Sequence, residues 1–282
     1  MSASFQVVVI RPPGYAHSGA LAEIAETLVG GLRRLDHQVS VEENRMVPGS
    51  RAVLLGAHLL RAEHVARVPA DTIVYNLEQA DPASPVWTPH YISLLRRLEV
   101  WDYSRRNIER LAGMGVTGRV KHVPVGYVPE LTRITSQLVE DIDVLFYGSP
   151  NKRRAWVIGE LRDMGLNVQT VFGVYGAGRD AFIARTKVVL NLHFYDTSIF
   201  EIVRVSYLLA NQKAVVSECH PGTEIDKDLV DAVKLAPYEE LACACRDLVQ
   251  DGNQRRELAA RGFQRMTARD EARILQTVLG EG

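Results

Sequence analysis

The strongest chemical signal in the sequence is a run of small and basic residues, Phe146-Tyr-Gly-Ser-Pro-Asn-Lys-Arg-Arg154. Gly148 and Ser149 allow a ligand to approach the backbone closely. Lys152, Arg153 and Arg154 place positive charge in the first turn of a predicted helix, where the helix dipole favours anions instead. The pattern therefore predicts a bound anion, with phosphate as the obvious candidate. A solvated basic turn on a surface helix is the alternative.

A second polar cluster spans residues 191–204, where a predicted strand leads through a polar turn into another helix. Glu201 and Arg204 are three residues apart and so share a helical face. A glutamate can accept ribose hydroxyls, and an arginine can hold a diphosphate with two hydrogen bonds. The alternative is a capping box that ends at Glu201, together with an internal ion pair. We expect these polar side chains to converge at one strand end: His193, Thr197, Ser198, Glu201 and Arg204.

A glycine-rich loop, Phe172-Gly-Val-Tyr-Gly-Ala-Gly-Arg179, follows another predicted strand. Its glycines allow the backbone to turn sharply or to pass close to a ligand. The order of the glycines differs from the GxGxxG dinucleotide fingerprint, and the chain has no Walker loop. Tyr175 is a candidate for stacking on a nucleotide base, or else it simply covers the loop.

In the first half, the loop Arg11-Pro-Pro-Gly-Tyr-Ala-His-Ser-Gly-Ala20 joins the first strand to the first helix. Gly14 lies where an α/β domain presents its ligand loop. His17 is a candidate general base for an acceptor hydroxyl, the alternative being a solvated loop histidine. Competing bases follow later strands: Glu78, Asp81 and Asp102.

The elements that must position these residues alternate between strand and helix in both halves. Predicted strands cover residues 5–10, 39–42, 52–55, 72–75, 98–101, 120–123, 143–147, 168–172, 188–193 and 214–217. Predicted helices cover residues 20–35, 58–66, 89–97, 105–114, 151–164, 179–185, 200–210, 238–250, 254–266 and 270–279. This alternation predicts parallel sheets with crossover helices, whose ligands bind at the carboxyl ends of the strands.

Two prolines and a glycine interrupt both patterns and predict a linker near residues 124–140. We therefore expect two α/β domains, residues 1–130 and residues 131–282, with the last helix a candidate to pack back on the first domain.

Composition excludes several classes of protein. The 282 residues carry 33 Lys+Arg and 34 Asp+Glu, a formal charge of −1, so no nucleic-acid partner is expected. No apolar run approaches the ~18 residues that span a bilayer, so no transmembrane segment is expected. The N-terminus lacks the basic region of a signal peptide. We expect a cytoplasmic location, and a bacterial source.

A metal site is also not expected from the sequence. The three cysteines, at positions 219, 243 and 245, form no CxxC pattern, which argues against a disulfide framework and a structural zinc site. The pair Asp141-Ile-Asp143 leads into the beginning of a strand, the wrong end for a ligand site.

The order of the elements resembles the glycosyltransferases with two Rossmann-like domains, the GT-B fold, and especially their group 1-like members. The segment Phe200-Glu-Ile-Val-Arg-Val-Ser-Tyr-Leu-Leu-Ala-Asn-Gln-Lys-Ala-Val-Val-Ser-Glu218 resembles their signature of helix, small-residue turn and hydrophobic strand. The connector His122-Val-Pro-Val-Gly-Tyr-Val-Pro129 resembles their interdomain linker. The resemblance implies an α/β fold with two Rossmann-like domains that face each other across a cleft.

The resemblance also implies a function. A metal-independent, hexosyltransferase-like enzyme would move a sugar from a nucleotide-diphosphate sugar, with UDP as the expected nucleotide, to the hydroxyl of an unknown acceptor. No cofactor is needed beyond this donor substrate. The second domain would bind the donor, and His17 or Glu78 of the acceptor-side first domain would act as the base. The expected donor-binding residues are Gly14, Gly148, Ser149, Lys152, Arg153, Tyr175, His193, Thr197, Ser198, Ile199, Glu201 and Arg204.

One departure from that family bears on function. The family's two glutamates separated by seven residues are absent, and Tyr207 falls where the second usually lies. The departure leaves as an alternative a catalytically degenerate protein that binds a nucleotide or a partner. A sugar-nucleotide 2-epimerase, which shares the architecture, is a further alternative.

Overall fold

The computed structural model describes residues 2–81, 84–135, 139–194 and 199–280. Within it the chain forms two compact units. The first unit consists of Met1–Val128 together with Asp270–Gly282, and the second is Pro129–Arg269.

Strands and helices alternate through both units, as the sequence predicts for an α/β fold. The strands are β1 (Ser4–Val9), β2 (Gln38–Glu43), β3 (Arg51–Leu55), β4 (Ile73–Asn76), β5 (Glu99–Asp102), β6 (Val120–His122), β7 (Ile142–Tyr147), β8 (Val168–Val171), β9 (Thr186–Asn191), β10 (Ala214–Glu218) and β11 (Lys234–Ala236). The α-helices are α1 (Ala22–Arg34), α2 (Ala62–Val65), α3 (Pro89–Arg97), α4 (Arg105–Gly113), α5 (Lys152–Asp163), α6 (Ala177–Ala184), α7 (Ile202–Ala210), α8 (Leu241–Gln250), α9 (Gly252–Thr267) and α10 (Glu271–Leu279).

The first unit contains a parallel sheet with the strand order β2-β1-β3-β4-β5-β6. Its central strands are apolar at successive positions because both faces of the sheet are covered. Val7 and Val8, for example, point to opposite faces and are both fully buried. Val8 and Val74 belong to the core that α3 covers, together with Leu94 and Leu95.

Helix α10 returns to the first unit and packs on α1. The two helices approach so closely that a Cβ atom at Gly31 would lie 2.6 Å from Cγ of Glu271. The Glu271 carboxylate accepts a hydrogen bond of 3.0 Å from the N–H of Gly126. The end of the described chain is therefore part of the first unit's structure.

The second unit contains a parallel sheet with the strand order β11-β10-β9-β7-β8. The short edge strand β11 was not predicted, because Lys234-Leu-Ala236 is too short to show a strand pattern. In the core of the second unit, α5 and α8 pack on one face of the sheet through residues such as Val157, Leu161 and Leu248.

Several predicted helices differ from the structure in their bounds; the helix predicted over residues 238–250, for example, begins at Leu241. Residues 58–66 form a 3₁₀ turn at Ala57–Leu59 and the short helix α2, rather than one helix. The helix predicted from residue 200 begins at Ile202. Among the helices described, none has the length and apolar character needed to cross a membrane.

Candidate functional site

Strands β7, β9 and β10 are neighbours in the second sheet, so the loops at their carboxyl ends share one edge. Gly148 and Ser149 follow β7, His193 follows β9, and Glu218 ends β10. Residues that are 70 positions apart in the sequence are brought together in this way. Helices α5 and α7 both begin at this edge and carry the basic side chains.

Asn151 positions the amino terminus of α5. Its side-chain oxygen accepts a hydrogen bond of 2.8 Å from the N–H of Arg154, and its amide nitrogen donates to the carbonyl of Phe194 at 2.9 Å. Asn151, and not Ser149, is thus the N-cap residue of α5. The cap ties the helix to the loop after β9, while Lys152 is exposed in the first turn.

Gly148 permits a close approach of two guanidinium groups to the backbone. It has a φ of +151°, and a Cβ atom there would lie 3.3 Å from Nη1 of Arg154 and 3.4 Å from Nη2 of Arg204. Its N–H donates to the carbonyl of Val171 at 3.0 Å. A side chain at this position would therefore crowd the cationic part of the site.

Arg154 is buried and binds backbone carbonyls. It donates to the carbonyl of Leu192 through Nε (3.1 Å) and Nη2 (2.6 Å), and to that of Ser149 through Nη1 (2.8 Å). Burial lowers the pKa of its guanidinium to about 10. The sequence pattern placed Arg154 among the cations that face a ligand. In the structure, the hydrogen bonds of Arg154 instead connect the loop after β7 to the loop after β9.

Arg153 is held in a bidentate ion pair with Glu218. Its Nη1 donates to Oε2 at 2.7 Å, and its Nη2 donates to Oε1. Glu218 is 1% exposed and also accepts from the N–H of His193 at 3.0 Å. The guanidinium lies 3.9 Å from the ring centroid of Tyr238. Sequence reasoning missed Glu218 and Tyr238, although an acidic residue that ends an apolar strand was a usable signal.

Glu201, Arg204 and His193 form one cluster. Oε2 of Glu201 lies 3.3 Å from Nη1 of Arg204, and its Oε1 lies 3.5 Å from Nδ1 of His193. Burial alone would raise the pKa of Glu201, but Arg204, His193 and Arg154 outweigh it and lower the pKa to about 2. Glu201 is therefore an anion at neutral pH and holds Arg204 near Gly148.

The capping-box alternative does not hold for Glu201. A capping box needs this glutamate in the first turn of the helix. Helix α7 begins one residue later, so Glu201 is itself the N-cap residue, and its side chain makes no cap hydrogen bond. Thr197 and Ser198, the expected partners, lie outside the described residues.

His193 is completely buried at the end of β9. In the part of the chain that the structure describes, its Nε2 has no hydrogen-bond partner, and its Nδ1 faces only Oε1 of Glu201, at 3.5 Å. Its ring faces the edge of His220 at a centroid distance of 6.2 Å. Because buried polar atoms are nearly always hydrogen-bonded, this imidazole has bonding capacity for a ligand.

Tyr175 and Ile199 lie in different settings. Tyr175 is half-buried in the loop after β8, between Gly173 and Gly176, whose φ angles are +72° and +56°. Ile199 is 2% exposed, so its side chain belongs to the core. The backbone beside it is fixed by a hydrogen bond of 3.0 Å from the Phe200 N–H to the carbonyl of Glu224.

Tyr207 belongs to a structural network rather than to an acidic pair. It is 2% exposed, and its hydroxyl donates to Asp180 at 2.8 Å and accepts from Nε of Arg133 at 3.0 Å. Gln212, in the turn that follows α7, has a φ of +52°.

In the first unit, Asp102 is buried and fully engaged. It accepts hydrogen bonds from Asn76 (2.6 Å), the N–H of Ser104 (2.9 Å) and Asn107 (3.1 Å). These bonds connect the carboxyl ends of β4 and β5 to the start of α4. Asp102 is therefore a structural residue, and not a candidate base.

Glu78 and His17 lie in loops at the carboxyl edge of the first sheet. Glu78 is 3.5 Å from Nε2 of His58, whose pKa is lowered by burial. Burial and, secondarily, the charge of Glu78 raise the pKa of Tyr15, whose ring packs edge-on against His17 at 5.3 Å. His58 is a further titratable group at this edge. Gly14, one residue before Tyr15, has a φ of +76°.

No group of three or more His, Cys, Asp or Glu side chains among the described residues is arranged to hold a metal ion. The Asp141 and Asp143 carboxylates lie at the amino end of β7. They pair with Arg185 and with Lys187, the latter at 2.7 Å.

No protein-family model matches the chain. Among curated proteins, the uncharacterized protein L140 of Acanthamoeba polyphaga mimivirus is 26% identical over 176 residues, which are 60% of this chain and 56% of L140. The uncharacterized mimivirus protein R358 is 28% identical over 174 residues, 57% of each chain. The chain thus spans little more than half the length of these two relatives. They are viral proteins and give no support to a bacterial source.

Solved structures resemble the whole chain. Anabaena HepE in complex with UDP and glucose has a TM-score of 0.60 at 13% identity, over 99% of both chains. Sucrose-phosphate synthase from Thermosynechococcus elongatus has a TM-score of 0.61 at 11% identity, over 98% of both chains.

The T4 phage protein BGT, in complex with its UDP-glucose substrate, has a TM-score of 0.57 at 12% identity, over 100% of this chain and 98% of that one. The likeness extends over both of the parallel sheets of this chain. The chain therefore has the GT-B fold of the glycosyltransferases.

Proposed function

We propose that the protein is a glycosyltransferase that uses a nucleotide-diphosphate sugar, and that its second unit binds this donor. The observation that carries the proposal is the cluster that the buried His193 forms with the partly exposed Glu201 and Arg204, beside Gly148 and the amino terminus of α5. Two proteins of similar fold are described as complexes with UDP and glucose or with UDP-glucose.

Arg204, Lys152 and the first turn of α5 are proposed to bind the diphosphate. The first turn of a helix has N–H groups without partners inside the helix and carries the positive end of the dipole. Arg204 is 24% exposed at its side chain, so a ligand can reach it. Cations fixed in place before the reaction stabilise the negative charge that develops on the leaving diphosphate.

Glu201 is proposed to orient Arg204 and His193 rather than to bind the ribose. Both of its carboxylate oxygens face these two side chains. His193 is then able to hydrogen-bond the sugar or the phosphate. Arg153, Ser149 and Tyr175 border the same loops and remain proposed donor contacts, with Tyr175 a candidate to stack on the base.

The acceptor hydroxyl is proposed to lose its proton to His17 or to Glu78 of the first unit. The hydroxyl oxygen forms a bond to the anomeric carbon as the bond to the diphosphate breaks, and the proton passes to the base. His17→Ala and Glu78→Gln variants distinguish the two candidates, because loss of the true base should lower kcat much more than it lowers donor affinity.

Donor binding is tested by isothermal titration calorimetry with UDP and UDP-glucose, then with GDP- and ADP-based donors. We expect binding in the micromolar to millimolar range, weakened about tenfold or more by Arg204→Ala and by Lys152→Ala, because each removes a charged contact to phosphate. Arg256→Ala, an exposed arginine of α9, is the matched control. Unchanged affinity in both site variants would show that the diphosphate lies elsewhere.

Turnover separates transfer from the alternatives. A transferase releases the nucleotide diphosphate in proportion to glycosylated acceptor. A degenerate protein binds the donor without releasing it, whereas a sugar-nucleotide epimerase converts the donor with no acceptor present.

A further inference from the structure

One cavity is lined by residues of the first unit alone. It has a volume of about 660 Å³, within the range of pockets that hold small ligands. Its walls come from the segments after β1 and β2 and from the residues around α2. It lies at the carboxyl edge of a parallel sheet, the edge at which ligands of such sheets bind.

The floor of this cavity is apolar. We call the five residues Val8, Ile10, Met46, Leu59 and Leu60 the apolar floor. Val8 and Ile10 are part of the buried core, while the other three are only half-buried. Half-buried apolar side chains around a concavity favour an apolar occupant, because its binding removes their surface from water.

The mouth of the cavity is cationic. We call Arg11, Arg45, Arg61 and Arg67 the arginine rim; none of the described residues that line the cavity is an Asp or a Glu. Carboxylates behind the rim pair with three of these arginines: Glu43 with Arg11 at 3.2 Å, Glu42 with Arg45 at 2.8 Å, and Glu63 with Arg61 at 3.9 Å.

Arg67 differs from the other three. It is exposed, and no carboxylate among the described residues lies within ion-pair distance of it. Its guanidinium is therefore available to an anion, with five N–H donors in a geometry that suits phosphate and carboxylate.

The walls are fixed in advance of binding. Arg97 donates to the carbonyls of Val65 and Val68, both at 2.8 Å, and so holds the segment that carries Arg67. On the opposite side, Gln6 exchanges hydrogen bonds of 2.7 Å with both backbone groups of Val47. A preformed pocket loses less conformational entropy when it binds a ligand.

We propose that this cavity binds a small amphipathic anion, with its apolar body on the apolar floor and its phosphate or carboxylate group on the arginine rim. A neutral glycan would leave the arginine rim without a counterpart. Inorganic phosphate would leave the apolar floor in water. The site does not depend on the proposed transferase activity, because it uses none of the residues assigned to the donor.

The test is calorimetric titration of the full chain with n-octyl phosphate, kept monomeric, and with 1-octanol and inorganic phosphate as the two halves of that probe. We expect one octyl phosphate per chain and binding at least about tenfold weaker for each half. Equal binding of octanol and octyl phosphate, or no binding of octyl phosphate at millimolar concentration, overturns the proposal.

Two variants locate the binding. Arg67→Ala should weaken octyl phosphate about tenfold through the loss of a charge-assisted contact, and Leu60→Trp should abolish binding by filling the cavity. Arg119→Ala, an exposed arginine of the same unit outside the cavity, is the control and should bind like the unaltered chain.

Thermal unfolding shows whether each variant is folded. If Leu60→Trp does not fold, the affinity of Arg67→Ala for octyl phosphate tests the proposal. Affinity unchanged by Arg67→Ala overturns the assignment. Pelleting with phosphatidic-acid vesicles in the absence of octyl phosphate binding also overturns it, because a flat anionic surface would then be the true ligand.

Discussion

Three arginines of the second unit carry the same charge and have different partners. Arg154 donates to backbone carbonyls, Arg153 is paired with Glu218, and Arg204 is paired with Glu201. Arg154 is buried, so its charge in the sequence overstates what a ligand meets, whereas Arg153 and Arg204 are each about one-quarter exposed at their side chains. Arg204, which lies beside Gly148, and the exposed Lys152 are the cations that we propose to bind the diphosphate.

The low pKa of Glu201 predicts a pH dependence of stability. Its pKa is about 2 in the folded protein against a usual value of 4.5, so the charged carboxylate stabilises the fold fully above pH 4.5 and loses this effect as the pH falls towards 2. Glu201→Gln should therefore lower the free energy of unfolding at pH 7 by up to about 3 kcal/mol. Urea denaturation at pH 7 and at pH 3 measures the difference in the free energy of unfolding between the unaltered protein and Glu201→Gln. This difference should be smaller at pH 3, and an equal difference at both pH values contradicts the assignment.

Arg154 should contribute to stability more than its neighbour in the same helical turn. Arg154→Met leaves the carbonyl oxygens of Leu192 and Ser149 without their donors in a buried setting. We expect a loss of about 3 kcal/mol. The matched control Lys152→Met changes an exposed residue and should cost less than about 0.5 kcal/mol. Equal unfolding midpoints in urea for the two variants would refute this role.

At the scale of the elements, local pattern and capping place the helices at the sheet edge. Asn151 caps α5 and also binds the carbonyl of Phe194, so one side chain both starts the helix and sets its distance from the next loop. Helix α7 starts without a side-chain cap, and its N-cap residue Glu201 is used for the ion pair instead. The two helices that begin at this edge therefore start in different ways, one with a side-chain cap and one with an ion pair at its N-cap residue.

Two helical glycines provide a matched comparison of packing. Gly31 in α1 lies against α10, where an added Cβ would be 2.6 Å from Cγ of Glu271 and 2.8 Å from Cδ1 of Leu275. Gly159 in α5 has open space at the same atom. Gly31→Ala should destabilise the protein by about 1–3 kcal/mol, and Gly159→Ala should stabilise it by about 0.5–1 kcal/mol. Thermal unfolding of both variants measures the contrast, and a stabilising Gly31→Ala would disprove the close helix packing.

At the scale of the whole molecule, the chain forms its first unit from both of its ends. Helix α10 supplies Leu275, which is fully buried, and Nζ of Lys121 donates to the carbonyl of Val278 at 2.8 Å. The first unit therefore lacks part of its core until the last helix has been made. The second unit is continuous in sequence from Pro129 to Arg269.

A chain that ends at Arg269 should lose stability selectively. Hydrogen exchange measured by mass spectrometry should show faster exchange in β1 and β3 of the first unit, while β7 and β9 of the second unit keep their protection, because α10 belongs to the first unit and packs on α1. Leu275→Ala should give the same pattern with a cost of about 2–4 kcal/mol. Equal loss of protection in both units would contradict this division.

Much of the architecture was predictable from the sequence because it depends on local order. Predicted and observed bounds of the long strands and helices agree within a few residues; helix α3, for example, was predicted at its observed bounds. The exceptions are short: β11 and the 3₁₀ turn at Ala57–Leu59 contain too few residues to show a period.

The sequence by itself determined the alternating elements, the parallel sheets they imply and the edge at which polar residues gather, because hydrophobic period and turn residues act over a few positions. Only the tertiary structure decided which of those residues pair. Arg153 meets Glu218 across 65 positions, and Asp102 is enclosed by Asn76 from another strand. Burial and partners depend on elements that are distant in the chain, and these two quantities decide whether a charge supports the fold or is available to a ligand.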